Sequence, residues 1–114
     1  VESGSAGQKA AEANGYQFTE VKDQATALME VKAGTCDAAI IDSLMAAAMV
    51  GEGTGYASLT YTCGLNSEEY GVGFRKGSDL AQKLNDFFQS SYADGSMMQI
   101  AETYGVQAAI IEQK

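Results

Sequence analysis

Histidine, proline and tryptophan are all missing from this chain of 114 residues, and cysteine occurs only as Cys36 and Cys63. Without histidine the commonest general base near neutral pH and the commonest metal ligand are gone. Two cysteines do not make a zinc-binding set. A disulfide between neighbouring strands is one arrangement for the pair. Two separate buried thiols is the other, and is how free cysteine more often packs. Basic residues are scarce: 7 stand against 15 acidic ones, for a net charge of −8. They do not cluster, so there is no electrostatic footprint for nucleic acid or an anionic membrane. No apolar run approaches the length of a membrane span, and no signal-peptide pattern is visible. With proline absent, turns fall to the 13 glycines.

What is present suits one small folded domain. The chain is 46% hydrophobic with 9% aromatic residues, which sets it apart from disordered sequences. At this length about two-thirds of the unfolded surface is buried on folding. The stretch Ala33-Gly34-Thr35-Cys36-Asp37-Ala38-Ala39-Ile40-Ile41-Asp42-Ser43 organises the rest. Four consecutive apolar residues, Ala38 to Ile41, suit a strand buried on both faces of a parallel sheet. Asp42 then falls where that strand ends. Ligands bind at the carboxyl ends of strands in open α/β sheets, so a carboxylate there suits a cationic group. Equally, aspartate caps helices well, and Leu44 to Val50 reads as a helix.

The remaining elements alternate. Val1 to Gly7 reads as a strand end running into a small-residue loop, followed by a helix from Gln8 to Asn14 that Gly15 stops. Unpaired N–H groups at that helix start favour an anion, and Ser5 offers a hydroxyl donor. Tyr16 to Lys22 reads as a strand. Asp23 is placed to cap a helix from Gln24 to Ala33 with Ala25, Leu28 and Met29 facing the core. Gly51 to Gly55 is a loop without phosphate-binding spacing. Ala57 to Cys63 and Tyr70 to Arg75 read as strands, linked by the polar Asn66 to Glu69. Ser78 is placed to cap a long helix with a stripe of Leu80, Leu84, Phe87 and Phe88. After the Ala93-Asp94-Gly95 turn, Ser96 to Gln99 has capping-box spacing and opens a helix with Met97, Ile100, Ala101 and Tyr104 on one face. Those methionines and aromatics suit a core or a protein contact better than a cofactor site. Ala108 to Glu112 suits a short terminal strand. The alternation predicts an α/β chain, with a mainly parallel sheet flanked by helices.

The order of features resembles the second half of a family 3 (polar amino acid) substrate-binding protein of an ABC importer. Four blocks carry the likeness: Val1 to Gly7, Ala27 to Asp42, Tyr70 to Leu80, and Asp94 to Ser96 continuing through Ala101 to Gly105. Together they span nearly the whole chain in the family's order and spacing. The resemblance implies a type 2 periplasmic-binding-protein fold. Residues 1–66 would form most of the second lobe, and residues 67–114 a crossing strand and helices that pack on the first lobe. It further implies an extracytoplasmic, non-catalytic protein, without a cofactor, whose partners are a small amino acid and the membrane subunits of the transporter. The ligand carboxylate is expected at Ser5 and Ala6 and its ammonium at Asp42. Ser3 and Gln24 complete the expected site, and side-chain specificity is expected to lie largely in the other lobe and in residues such as Asp23, Gln24 and Ser43.

Two departures qualify the likeness. Ala6 stands where many members carry threonine or glycine, which removes a hydroxyl but keeps the backbone N–H. The first lobe is absent, and with it the arginine that pairs bidentately with the carboxylate and a stacking aromatic residue. Arg75 and Lys76 do not replace that arginine. Weak binding is therefore expected of the chain alone, as is self-association or rearrangement that covers the Leu80 stripe. Two other classes compete. An enzyme of prephenate or arogenate dehydratase type needs a grouped acid and base, and none is grouped here. A sensing domain of a LysR-type regulator or an ionotropic glutamate receptor would bring DNA-binding or membrane helices.

Overall fold

The computed structural model describes residues 1–111. Among them are five α-helices and one short 3-10 turn: α1 (Ala6–Ala13), α2 (Gln24–Ala33), α3 (Ser43–Met49), α4 (Leu80–Ala93), α5 (Ser96–Thr103) and the turn Gln107–Ala109. The chain divides into two units, Val1–Ser67 and Glu68–Lys114.

In the first unit every helix start is set by a side chain. Ser5 caps α1, its hydroxyl accepting the N–H of Gln8. Asp23 caps α2 through Thr26, and Gly34 ends it with φ 78°, a left-handed conformation that costs glycine nothing. Asp42 caps α3 by accepting from Leu44 and Met45. α1 begins two residues before the expected start, because the Ser5 cap draws Ala6 and Gly7 into the first turn. The buried residues here are Ala11, Ala27, Leu28 and Ala46, so the core is made of small side chains around one leucine. Met29, expected on the core face of α2, is 54% exposed.

The expected parallel sheet is not formed. Parallel pairing among the described residues is limited to two isolated bridges, Glu2 with Val21 and Val50 with Tyr56. At the first, Val21 donates to the Val1 carbonyl and accepts from the Ser3 N–H, both at 2.9 Å. Ala38–Ile41 makes no backbone ladder, nor do Tyr16–Glu20, 57–63 and 70–75. The physical reason is that a strand, unlike a helix, closes none of its hydrogen bonds within itself. Alanine at positions 38 and 39 adds little strand preference, and Tyr16 to Glu20 are exposed. An α/β chain with a mainly parallel sheet, and a type 2 binding-protein lobe built on it, is therefore corrected to a helical chain with extended connections.

The thiols also differ from expectation. Both cysteines are free, but Cys36 is only half-buried and Cys63 is exposed.

In the second unit α4 and α5 form a helical hairpin around buried Ser91 and Ala101. Ser78 accepts the Leu80 N–H at 3.2 Å, while Asp79 occupies the cap position and pairs with Lys83. The Ser96–Gln99 capping box does not form. Ser96 is already helical, Gly95 is the cap residue with φ 79°, and Asp94 accepts the Ser96 N–H at 2.8 Å. Leu80 and Phe87 are exposed while Leu84 and Phe88 are half-buried, so the stripe is only partly covered. On α5, Ala101 is buried, Met97 half-buried, and Ile100 and Tyr104 exposed. Of the expected terminal strand, Ala108 and Ala109 belong to the 3-10 turn and Glu112 lies outside the described residues.

Candidate functional site

Three helix starts gather at one end of the first unit. The Glu2–Val21 bridge is parallel, and α1 begins four residues after Glu2 while α2 begins three after Val21, so both helices start from the same side. The side chains reinforce this. Ser3 donates to Glu20 at 2.6 Å, and Gln8 Nε2 donates to Glu20 at 3.2 Å. α3 joins them because the Asp42 N–H donates to Gln24 Oε1 at 2.8 Å, across 18 residues of chain. α1 closes against the segment before Asp42. A Cβ added to Gly7 would stand 3.0 Å from the Ile40 carbonyl oxygen and 3.2 Å from its Cγ2.

The starts differ in charge. α2 and α3 are capped by Asp23 and Asp42, whose carboxylates accept the first N–H groups and oppose the positive end of each helix. α1 is capped by neutral Ser5 and has no acid in its first turn. The Ser5 hydroxyl donates to the Glu2 carbonyl at 2.7 Å and accepts from Gln8 at 3.1 Å. Its proton is thus spent inside the fold, and the hydroxyl donor expected of it is not offered outward. The N–H groups of Ala6 and Gly7 have no protein acceptor among the described residues. α1 therefore offers two open donors beside the segment that carries Asp42, with the Glu20 carboxylate tied to its start through Ser3 and Gln8.

Asp42 performs the capping role in full, with Oδ1 2.9 Å from the Leu44 nitrogen and 3.2 Å from that of Met45. Gln24 is half-buried, its oxygen engaged by the Asp42 N–H. Ser3 is exposed and tied to Glu20. Of the five expected contact residues, Ser5, Ala6, Gln24 and Asp42 lie on these gathered helix starts, while Ser3 only buttresses them. Gly7 and Glu20 were not anticipated. Gly7 gave no signal while the helix was expected to start at Gln8; inside α1 it is a glycine that costs helix stability and that the approach of Ile40 requires. Glu20 gave no signal either, because its role depends on which side chains meet across the bridge.

The Asp23 carboxyl is held below its ordinary value of 3.8 by the Thr26 hydroxyl and backbone N–H. Hydrogen bonds from the side chain and backbone of Ser96 do the same for Asp94. A lowered folded pKa gives stability that is complete above the unfolded value and lost as pH falls through the folded one. Helical signal followed by circular dichroism should thus hold down to about pH 4 and decline below it. Asp23→Ala should start with less helix and show a shallower acid limb.

Gly7→Ala gives a second expectation. Alanine in place of glycine inside a helix normally stabilises by up to about 1 kcal/mol. Here the new methyl meets a backbone carbonyl at 3.0 Å, and the overpacking cost of about 1–3 kcal/mol outweighs the gain. The urea midpoint should fall. A rise would mean that α1 does not close on Ile40.

Among the described residues no cluster of three or more acids, cysteines or histidines is placed to hold a metal ion. No helix among them is long and apolar enough to cross a membrane. No family model, curated protein or solved structure matches the chain.

Proposed function

We propose that the first unit contributes a non-catalytic binding site for a small amino acid or related zwitterion, and that the chain serves as the extracytoplasmic solute-binding component of an ABC importer. One observation carries the site: the start of α1, with neutral Ser5 and the open N–H groups of Ala6 and Gly7, lies against the segment leading to Asp42. An α-amino acid carries an anion and a cation a few bonds apart, and this site opposes each with the other sign. The carboxylate takes the Ala6 and Gly7 N–H groups and the helix dipole. The ammonium takes Asp42, which here serves as helix cap and ligand acceptor together. The sequence resemblance supports the transporter context, with membrane subunits as protein partners. The exposed Leu80, Phe87, Ile100 and Tyr104 are consistent with a first lobe, or a second copy in its place, as a further partner.

The test is calorimetric titration of the chain with the twenty common L-amino acids, repeated on Asp42→Asn. Saturable heat with one or more amino acids, lost in the variant, is expected. Absence of heat with all twenty, or undiminished binding by the variant, would overturn the proposal.

A further inference from the structure

We infer that Gln24 is a specificity-determining donor of this site, its carboxamide N–H2 aimed at an oxygen of the bound zwitterion by the backbone of Asp42; this rests on the amino-acid-binding function proposed above. Asp42 N–H is a donor, so the atom of Gln24 that it meets at 2.8 Å must be the oxygen. That bond removes the freedom of the amide to turn over. Nε2, with two donors, is left on the other branch, and it meets no protein acceptor among the described residues. Gln24 is half-buried and is the first residue of α2, between the Asp23 and Asp42 caps. A side chain with one end fastened to the backbone of the ammonium-binding residue holds its other end within one ligand's length of that ammonium.

A donor in that place selects for an acceptor. Within a zwitterion anchored at Asp42 the acceptor is an oxygen, either of the α-carboxylate or of a hydroxyl, carboxamide or carboxylate on the side chain. An amine or a second cation there would face two N–H groups with nothing to give them. The site is thus expected to prefer zwitterions with an oxygen close to the ammonium over diamines and amines that lack a carboxylate.

Gln24→Glu separates the donor from the tether. Glutamate has nearly the same shape, and one carboxylate oxygen still accepts the Asp42 N–H. Its second oxygen replaces the N–H2 with an acceptor. L-alanine, L-glutamine and propylamine serve as probes by calorimetry, with thermal melting and exchange of the Asp42 amide as controls on folding. With Asp42 exchange unchanged, Gln24→Glu should weaken amino-acid binding about ten- to a hundredfold and not weaken propylamine. Loss for L-alanine and L-glutamine alike assigns the α-carboxylate as the acceptor, and loss for L-glutamine alone assigns the side-chain oxygen. Gln24→Met, which removes tether and donor together, should lose at least as much and expose the Asp42 amide to exchange. If Gln24→Glu binds both amino acids as the parent does, while Asp42→Asn has lost them, the donor role fails and the amino-acid site stands. If Asp42→Asn binds undiminished, or the parent gives no heat with any of the twenty amino acids, both fall.

Discussion

Replacing Asp42 by alanine should abolish amino-acid binding and weaken α3 in the same molecule, and asparagine should divide the two effects. The carboxylate accepts from Leu44 and Met45 and is proposed to accept from the ligand ammonium. Removing an aspartate cap costs about 1 kcal/mol, whereas asparagine caps nearly as well. Removing a charged acceptor from a ligand cation costs about 1.5–3 kcal/mol, or roughly ten- to a hundredfold in affinity. Asp42→Ala should therefore lose binding and lower the melting temperature. Asp42→Asn should lose binding and melt close to the parent. If asparagine keeps the affinity, Asp42 is a cap and nothing more.

Leu28→Ala should unfold much of the first unit. Leu28 is 5% exposed and is the one large aliphatic side chain among the buried residues, the others there being Ala11, Ala27 and Ala46. Truncating a buried leucine costs about 2–5 kcal/mol. Total stability at about 0.05–0.15 kcal/mol per residue comes to roughly 3–10 kcal/mol for a unit of this size. One leucine therefore accounts for a large share of what holds α1 to α3 together. Its neighbour supplies the control, since Met29 is 54% exposed and Met29→Ala removes little burial. Urea unfolding followed by helical signal should separate the two variants widely. Equal midpoints would place the core elsewhere.

What the sequence made legible were features whose physics is local. The Asp23 and Asp42 caps, the Gly34 stop and the span of α2 follow from bonds that close within one turn, and they appear where expected. The start of α1 moved by two residues because a serine cap competes with a glycine on its heels. The Ser96 capping box failed for a similar reason: Asp94, two residues earlier, takes the Ser96 N–H first. The sheet was not legible because a ladder belongs to two segments at once. Ala38-Ala39-Ile40-Ile41 has the composition of a buried strand, yet those residues find no ladder partner, and what remains of the pairing among the described residues is two isolated bridges, Glu2–Val21 and Val50–Tyr56. The site was legible in part. Ser5, Ala6 and Asp42 could be picked as helix starts, but only coordinates show that the Ser5 proton is spent on Glu2 and that Gln24 is fastened to Asp42.

In the proposed site the start of α1 receives the carboxylate of a zwitterion held at Asp42. The most direct measurement is a nitrogen–proton correlation spectrum of the labelled chain, titrated with the L-amino acids that give heat. The Ala6 and Gly7 amides should shift downfield and saturate together with the calorimetric isotherm, and should stay unmoved in Asp42→Asn. Saturation at other amides, with Ala6 and Gly7 unmoved, would contradict it.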